Sequence, residues 1–333
     1  MSDISLTVGD LTPISVGDAD PADTAVDPLI EEVEYETTLD PGRPTDALYI
    51  KGSTTLETWN STHIRTSGRS LVITDKGQTH RGWKATNCLF EALPLQVPYG
   101  NKQPGDMAVL WGWRTYGLLE AEWENCISKG ALVEHHHYHQ GASQLLWRNC
   151  RFEGAMSQAI QIFRSNPAYT APPPPPEFAD KWQRVIDCQV IECGREGSGS
   201  RAAFALTFGN DVHGVRVHDT LVQSLYNAPW LYGGKTYYSK GAFLAESRPA
   251  AELARVVVNY KQPDRTLVYC NRVKDVSIDA CRIYGGTITI RDCTNVEIKR
   301  CRGDGNIVVQ KTNSQGNPVI LDVVPIRAGY RSS

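Results

Sequence analysis

Trp83-Lys84-Ala85-Thr86-Asn87-Cys88-Leu89-Phe90 is the stretch that decides the fold. Apolar and polar residues alternate, an Asn-Cys turn interrupts them, and alternation resumes. The phrase returns as Ala121-Glu122-Trp123-Glu124-Asn125-Cys126-Ile127 and as Leu145-Leu146-Trp147-Arg148-Asn149-Cys150-Arg151-Phe152-Glu153-Gly154. Later copies are Val185-Ile186-Asp187-Cys188-Gln189-Val190 and Val215-Arg216-Val217-His218-Asp219-Thr220-Leu221-Val222. Val276-Ser277-Ile278-Asp279-Ala280-Cys281-Arg282-Ile283 and Ile288-Thr289-Ile290-Arg291-Asp292-Cys293 close the series. Period-2 alternation broken by a polar turn is a strand–turn–strand unit. A unit that recurs along one chain is the mark of a solenoid, because each copy buries its apolar face only against the next.

Working outward, the 333 residues suffice for one large solenoid or two ordinary domains. Charge is unevenly spread. Residues 1–42 hold eleven acidic residues and no Lys or Arg, which leaves 34 basic against 26 acidic residues in the remainder. Residues 1–35 therefore read as an extended acidic arm that docks on a partner or stays solvated. Residues 36–80, with Ala47–Lys51 and Ser70–Thr74, read as entry strands that cap the open end. The β-helix proper is expected over 81–310, with insertions at 94–105, 167–180 and 227–265. The second contains consecutive prolines 172–176, a rigid PPII spur. The third contains Pro249–Ala254, which reads as a short helix. Residues 311–333 form a C-terminal cap or tail.

Nine cysteines are present, most of them one per copy directly after the polar turn residue. Cysteine is a small apolar side chain when buried, so these read as a stacked column of reduced core thiols. No C-x-x-C occurs, which argues against structural zinc, and no metal or cofactor is expected. The N-terminus lacks the basic and apolar regions of a secretory signal, and no apolar run is long enough to span a membrane. Folding in the cytoplasm that makes the chain is the expectation. Lys and Arg form no stripe, so nucleic acid is not an expected partner.

Glu134-His135-His136-His137-Tyr138-His139-Gln140 is the most unusual local sequence. As a strand it places His135, His137 and His139 on one face and His136 and Tyr138 on the other. The alternatives are a surface strand in a glycan-contact face, acid–base use or a metal row. Asn210–Asp219 supplies a second cluster. Arg216 and His218 point outward there if Val215 and Val217 point inward. A carboxylate, histidine and arginine together suit proton abstraction from a uronic acid. The catalytic candidates are thus Glu134, His137, Asp211, His213, Arg216 and His218. For glycoside hydrolysis, which needs two carboxylates across a groove, Glu192 and Glu196 are the best pair. Aromatic candidates for glycan contact are Trp111, Trp113, Tyr138, Trp230, Tyr232 and Tyr237. Trp123 and Trp147 hold equivalent phrase positions and are expected to stack inside or along one flank.

The Asn/Asp-Cys turns and uneven insertions resemble right-handed parallel β-helix proteins of the pectate-lyase-like superfamily, over about residues 45–310. That superfamily includes polysaccharide lyases, hydrolases, epimerases and phage tail spikes. The resemblance implies an all-β, single-stranded β-helix whose turn asparagines stack coil over coil. Asn87, Asn125 and Asn149 match that role. Asp187, Asp219 and Asp292 depart from it, and stacked carboxylates repel, so one continuous ladder is not expected. Three functions stay open. The first is a phage virion protein (head decoration, spike or tail) anchored to other virion proteins through residues 1–35 and contacting host-surface glycan. The second is a polysaccharide lyase, hydrolase or epimerase. The third is a non-catalytic bacterial scaffold. The resemblance implies trimers as the assembly.

Overall fold

A computed structural model describes residues 33–36, 48–50, 58–66, 70–73, 80–92, 113–131, 135–155, 157–163, 182–194, 204–209, 213–225, 230–232, 235–237, 241–261 and 265–332. They form a right-handed parallel β-helix. Three strands make a coil, and each strand pairs in parallel with its counterparts above and below.

One face is a ten-stranded ladder running from Val33–Glu36 through Leu89–Ala92, Ile127–Lys129, Arg151–Glu153 and Gln189–Ile191 to Arg302–Gly303. A second face stacks Thr58–Asn60, Lys84–Thr86, Glu122–Glu124, Leu146–Arg148, Gln183–Ile186 and Val215–His218. The third stacks Trp113–Tyr116, His137–Gln140, Ile160–Phe163 and Phe204–Gly209. In the later coils the second and third faces merge into the long strands Gly241–Ala254 and Arg265–Asp279.

Register follows from alternation, since a one-residue slip would turn every inward side chain outward. Ala85, Trp123, Trp147, Val185, Val217, Leu253, Ile278 and Ile298 fall at matching inward positions and are all buried. Trp123 and Trp147 stack inside, with ring centroids 5.0 Å apart and planes 6° from parallel. The corner between the second and first faces needs one residue of positive φ. Asn87, Asn125, Asn149, Asp187 and Asp219 supply it at φ 49–55°. Asn and Asp tolerate this region better than other side chains, which is why the phrase carries them there.

The next position turns inward and is small. Cys88, Cys126, Cys150 and Cys188 stack there. Thr220 and Val256 continue the column before Cys281 and Cys301 resume it. Each thiol finds carbonyl oxygens: Cys150 Sγ donates to Trp123 O and Arg148 O, both at 3.3 Å. All nine cysteines are free, and eight of them are buried. Burial pushes the Cys150 and Cys270 thiols well above the ordinary range.

Two expectations are corrected here. Pro249–Ala254 is not a helix but the second half of the strand Gly241–Ala254. Ala251 and Leu253 fill inward positions opposite Val215 and Val217, and the parallel neighbours on both sides outweigh the helix propensity of Ala, Glu and Leu. For the same reason 227–265 is not one insertion. The ladder strands Gly241–Ala254 and Val257–Tyr260 lie within it, and Trp230–Tyr232 pairs antiparallel with Lys235–Tyr237 before them.

At the C-terminal end the ladder is closed by antiparallel strands. Pro318–Pro325 covers Asn306–Thr312, and Tyr330–Arg331 covers part of Val296–Lys299. Ile326 tucks beneath them, fully buried.

Candidate functional site

The strand Val215–His218 points Arg216 and His218 outward, because Val215 and Val217 are buried. One coil later Glu252 lies opposite Arg216. Its carboxylate meets both side chains: Arg216 Nε donates to Oε2 at 2.9 Å, and His218 Nε2 lies 2.8 Å from Oε1. The Arg216 guanidinium also lies over the Trp182 ring, 4.0 Å from its centroid. Gly214 makes room for that ring, since a Cβ there would come within 2.7 Å of it. Trp182, Arg216, His218 and Glu252 therefore form one outward cluster on the second face.

The turn column beside this cluster changes character along the solenoid. Asn87 Nδ2 donates to Asn60 Oδ1 at 3.4 Å, Asn125 Nδ2 to Asn87 Oδ1 at 3.1 Å, and Asn149 Nδ2 to Asn125 Oδ1 at 2.8 Å. A carboxylate cannot donate onward, so the ladder stops at Asp187. Burial and the neighbouring Asp219 raise the Asp187 carboxyl above its ordinary value, with Arg148 and Arg255 opposing. Further on, arginines take over: Arg255 grips Asp219, its Nη2 donating to Oδ2 at 2.6 Å, and Arg300 Nε donates to Asp279 Oδ1 at 2.8 Å.

The histidine row is placed differently from the surface-strand expectation. His137 and His139 are 1% and 0% exposed and project into the coil interior. There they meet Trp123, Trp147 and Phe152, with ring centroids 5.0–5.7 Å apart. Trp147 Nε1–H donates to His137 Nδ1 at 3.2 Å, and Thr115 Oγ1 bonds His139 Nδ1 at 2.7 Å. Burial lowers His136 to about 4 and His139 to about 3, and lowers His137 well below its ordinary value. These imidazoles are neutral core residues, because the inward side of this strand faces rings rather than water. His137 therefore does not meet the outward Arg216 and His218. His213 is also buried, at 1% exposure.

Tyr138 is half-buried on the outer side and bonds Gln140 Nε2. Trp113, Trp230, Tyr232 and Tyr237 lie on strands. Glu134, Asp211, Trp111 and Glu196 lie outside the described residues. Glu192 is 7% exposed and accepts from Ser224 Oγ at 3.0 Å and from Leu225 N–H at 2.6 Å. That is a fastening between coils, not a carboxylate facing a groove. Among the described residues no group of three His, Cys, Asp or Glu side chains converges as a metal site.

Glu252 and Trp182 were missed from sequence. Glu252 was hidden by the helical look of Pro249–Ala254. The available signal was that Ala251, Leu253 and then Val257 and Val258 continue the inward pattern.

No family model matches the chain. No curated protein matches it. Among solved structures it is similar to the crystal structure of PfbA, a surface adhesin of Streptococcus pneumoniae, at 12% identity, covering 82% of this chain and 86% of that one, with a TM-score of 0.37.

Proposed function

We propose that this chain is a non-catalytic β-helix of a phage virion (a head-decoration, spike or tail component). Residues 1–35 dock it to other virion proteins, and its outer faces contact host-surface glycan. One observation carries the non-catalytic part: among the described residues, those best suited to acid–base chemistry are spent on structure. His137 and His139 are buried and neutral, Glu192 fastens two coils, and Glu252 is held by both Arg216 and His218. General acid–base catalysis needs a titrating group within reach of a substrate proton, and these groups face rings or are already bonded.

Nine free thiols, eight of them buried, support folding in a reducing host cytoplasm, with release by lysis rather than export. The acidic run of residues 1–35 supports a docking role. The alternative, a polysaccharide-cleaving enzyme, gives a direct test. The full chain is incubated with acidic and neutral polysaccharides, and new reducing ends or unsaturated uronate absorbance are followed. No product is expected, and turnover of any polymer would refute the non-catalytic reading. Co-sedimentation of the chain lacking residues 1–35 with particles tests the docking. Loss of attachment is expected, and retained attachment would remove the arm's role.

A further inference from the structure

The last coil carries a basic groove that the functions above do not use. It is an open depression of about 370 Å³ where Tyr330–Arg331 crosses the strand Val296–Lys299. Lys299, Arg300, Arg327 and Arg331 line it, with Glu297 and Tyr330. Two carboxylates answer these four cations. Glu297 takes Lys299 at 2.8 Å and lies in register with Arg331, and Asp279 takes Arg300. Arg327 spends its Nε on Gly303 O at 3.3 Å and is exposed. The groove thus holds more positive than negative charge, on side chains that water reaches.

The complementary charge is in the same sequence. Residues 1–32 carry eight acidic residues and no Lys or Arg, and they lead into the first ladder strand, Val33–Glu36, at the opposite end of the solenoid. We propose that the groove at the C-terminal cap receives the acidic N-terminal segment of a second copy, joining copies head to tail. This rests on the reading of residues 1–35 as a docking segment and names its receptor. Ten ladder strands separate the two ends, about 43 Å at the usual strand spacing. A fully extended 32-residue segment reaches about 105 Å. To reach the groove of its own chain, the segment would order roughly 13 residues only to cross the body. The groove of a copy stacked end to end lies beside its point of exit. Such a contact is heterologous and repeats, so it builds short filaments or closes a ring.

The test is sedimentation velocity of the full chain at several concentrations, in low and high salt. Concentration-dependent larger species are expected in low salt and their dissociation in high salt, because exposed charge pairs are screened. R327E/R331E, both at exposed positions, should weaken association roughly tenfold or more while leaving the circular dichroism spectrum unchanged. Mixing that variant with a chain carrying Asp18→Lys, Asp20→Lys, Asp23→Lys and Asp27→Lys should restore association between the two. A chain that stays monomeric throughout overturns the inference, as does association that survives R327E/R331E or deletion of residues 1–32. None of these outcomes measures particle attachment, which is followed separately with particles, so a failure of this inference is distinguishable from a failure of the docking reading.

Discussion

Asp187→Asn should stabilise this protein at neutral pH. In the turn column each asparagine donates its amide N–H to the oxygen one coil back, as far as Asn149. Asn149 Oδ1 is buried and has no hydrogen-bond partner, because the next residue in the column is a carboxylate. An amide there would donate to it. Leaving a buried acceptor unsatisfied costs about 1–3 kcal/mol, and the lower end applies at a half-exposed turn. The substitution also removes repulsion from Asp219. Unit charges one strand spacing apart repel by about 0.9 kcal/mol in water, and salt and nearby arginines reduce this to about half. The expected gain is therefore about 1.5 kcal/mol, or about 2 °C in Tm for a chain of this size.

The pH dependence follows from the raised Asp187 carboxyl. Below its folded-state pKa the carboxyl is protonated, donates to Asn149 itself and no longer repels Asp219. The wild type thus recovers this stability as pH falls and loses it as pH rises from the unfolded-state value through the folded one. Melts of both chains, followed by circular dichroism at pH 7 and pH 3.5, measure the difference. A variant no more stable at pH 7, or an advantage undiminished at pH 3.5, would refute the reasoning.

The buried histidines give the opposite sign. Their folded-state pKa values are depressed, so the stability tied to keeping them neutral is present above about 6.5 and is lost as pH falls toward 4 and 3. His139→Leu should remove a share of this acid lability, seen as a flatter Tm against pH between 6.5 and 4; an unchanged slope would mean that His139 does not titrate on unfolding. Thiol reagent should reach at most the half-buried Cys293 in the native chain and all nine cysteines in denaturant; several fast-reacting native thiols would contradict the packed column. Gly214→Ala should displace the Trp182 ring, cost about 1–3 kcal/mol and change tryptophan fluorescence; a neutral substitution would mean that the ring is not seated on Gly214.

The fold was legible because its determinants are local and periodic. Each copy of the phrase encodes two strands, the positive-φ corner and the small inward residue after it, and stacking repeats that geometry. The break in the asparagine ladder was legible for the same reason, since Asp187 and Asp219 occupy the Asn position and carboxylates repel. What alternation alone left open was which side of an isolated strand faces inward. His135-His136-His137-Tyr138-His139 reads equally well in either sense. The structure resolves it through other strands of the solenoid: Trp123 and Trp147 stack on adjacent coils, and the imidazole rings pack against that stack.

The outward cluster was half legible on similar grounds. Arg216 and His218 follow from the burial of Val215 and Val217 on their own strand. Their carboxylate partner is thirty-four or more residues away in sequence and adjacent only because the strands Val215–His218 and Gly241–Ala254 pair in register. The same dependence explains how the outer face changes. Where two outward positions in one column carry the same charge, as at Asp187 and Asp219, no shift along the strand relieves them without turning the core outward. Relief has to come from a neighbouring coil, and Arg255, one coil beyond Asp219, supplies it. Register is fixed by the inward residues, so the outer face is free to vary in charge but not in position. A ligand meeting this surface would therefore meet a fixed lattice of strand positions, with its specificity set by which side chains occupy them.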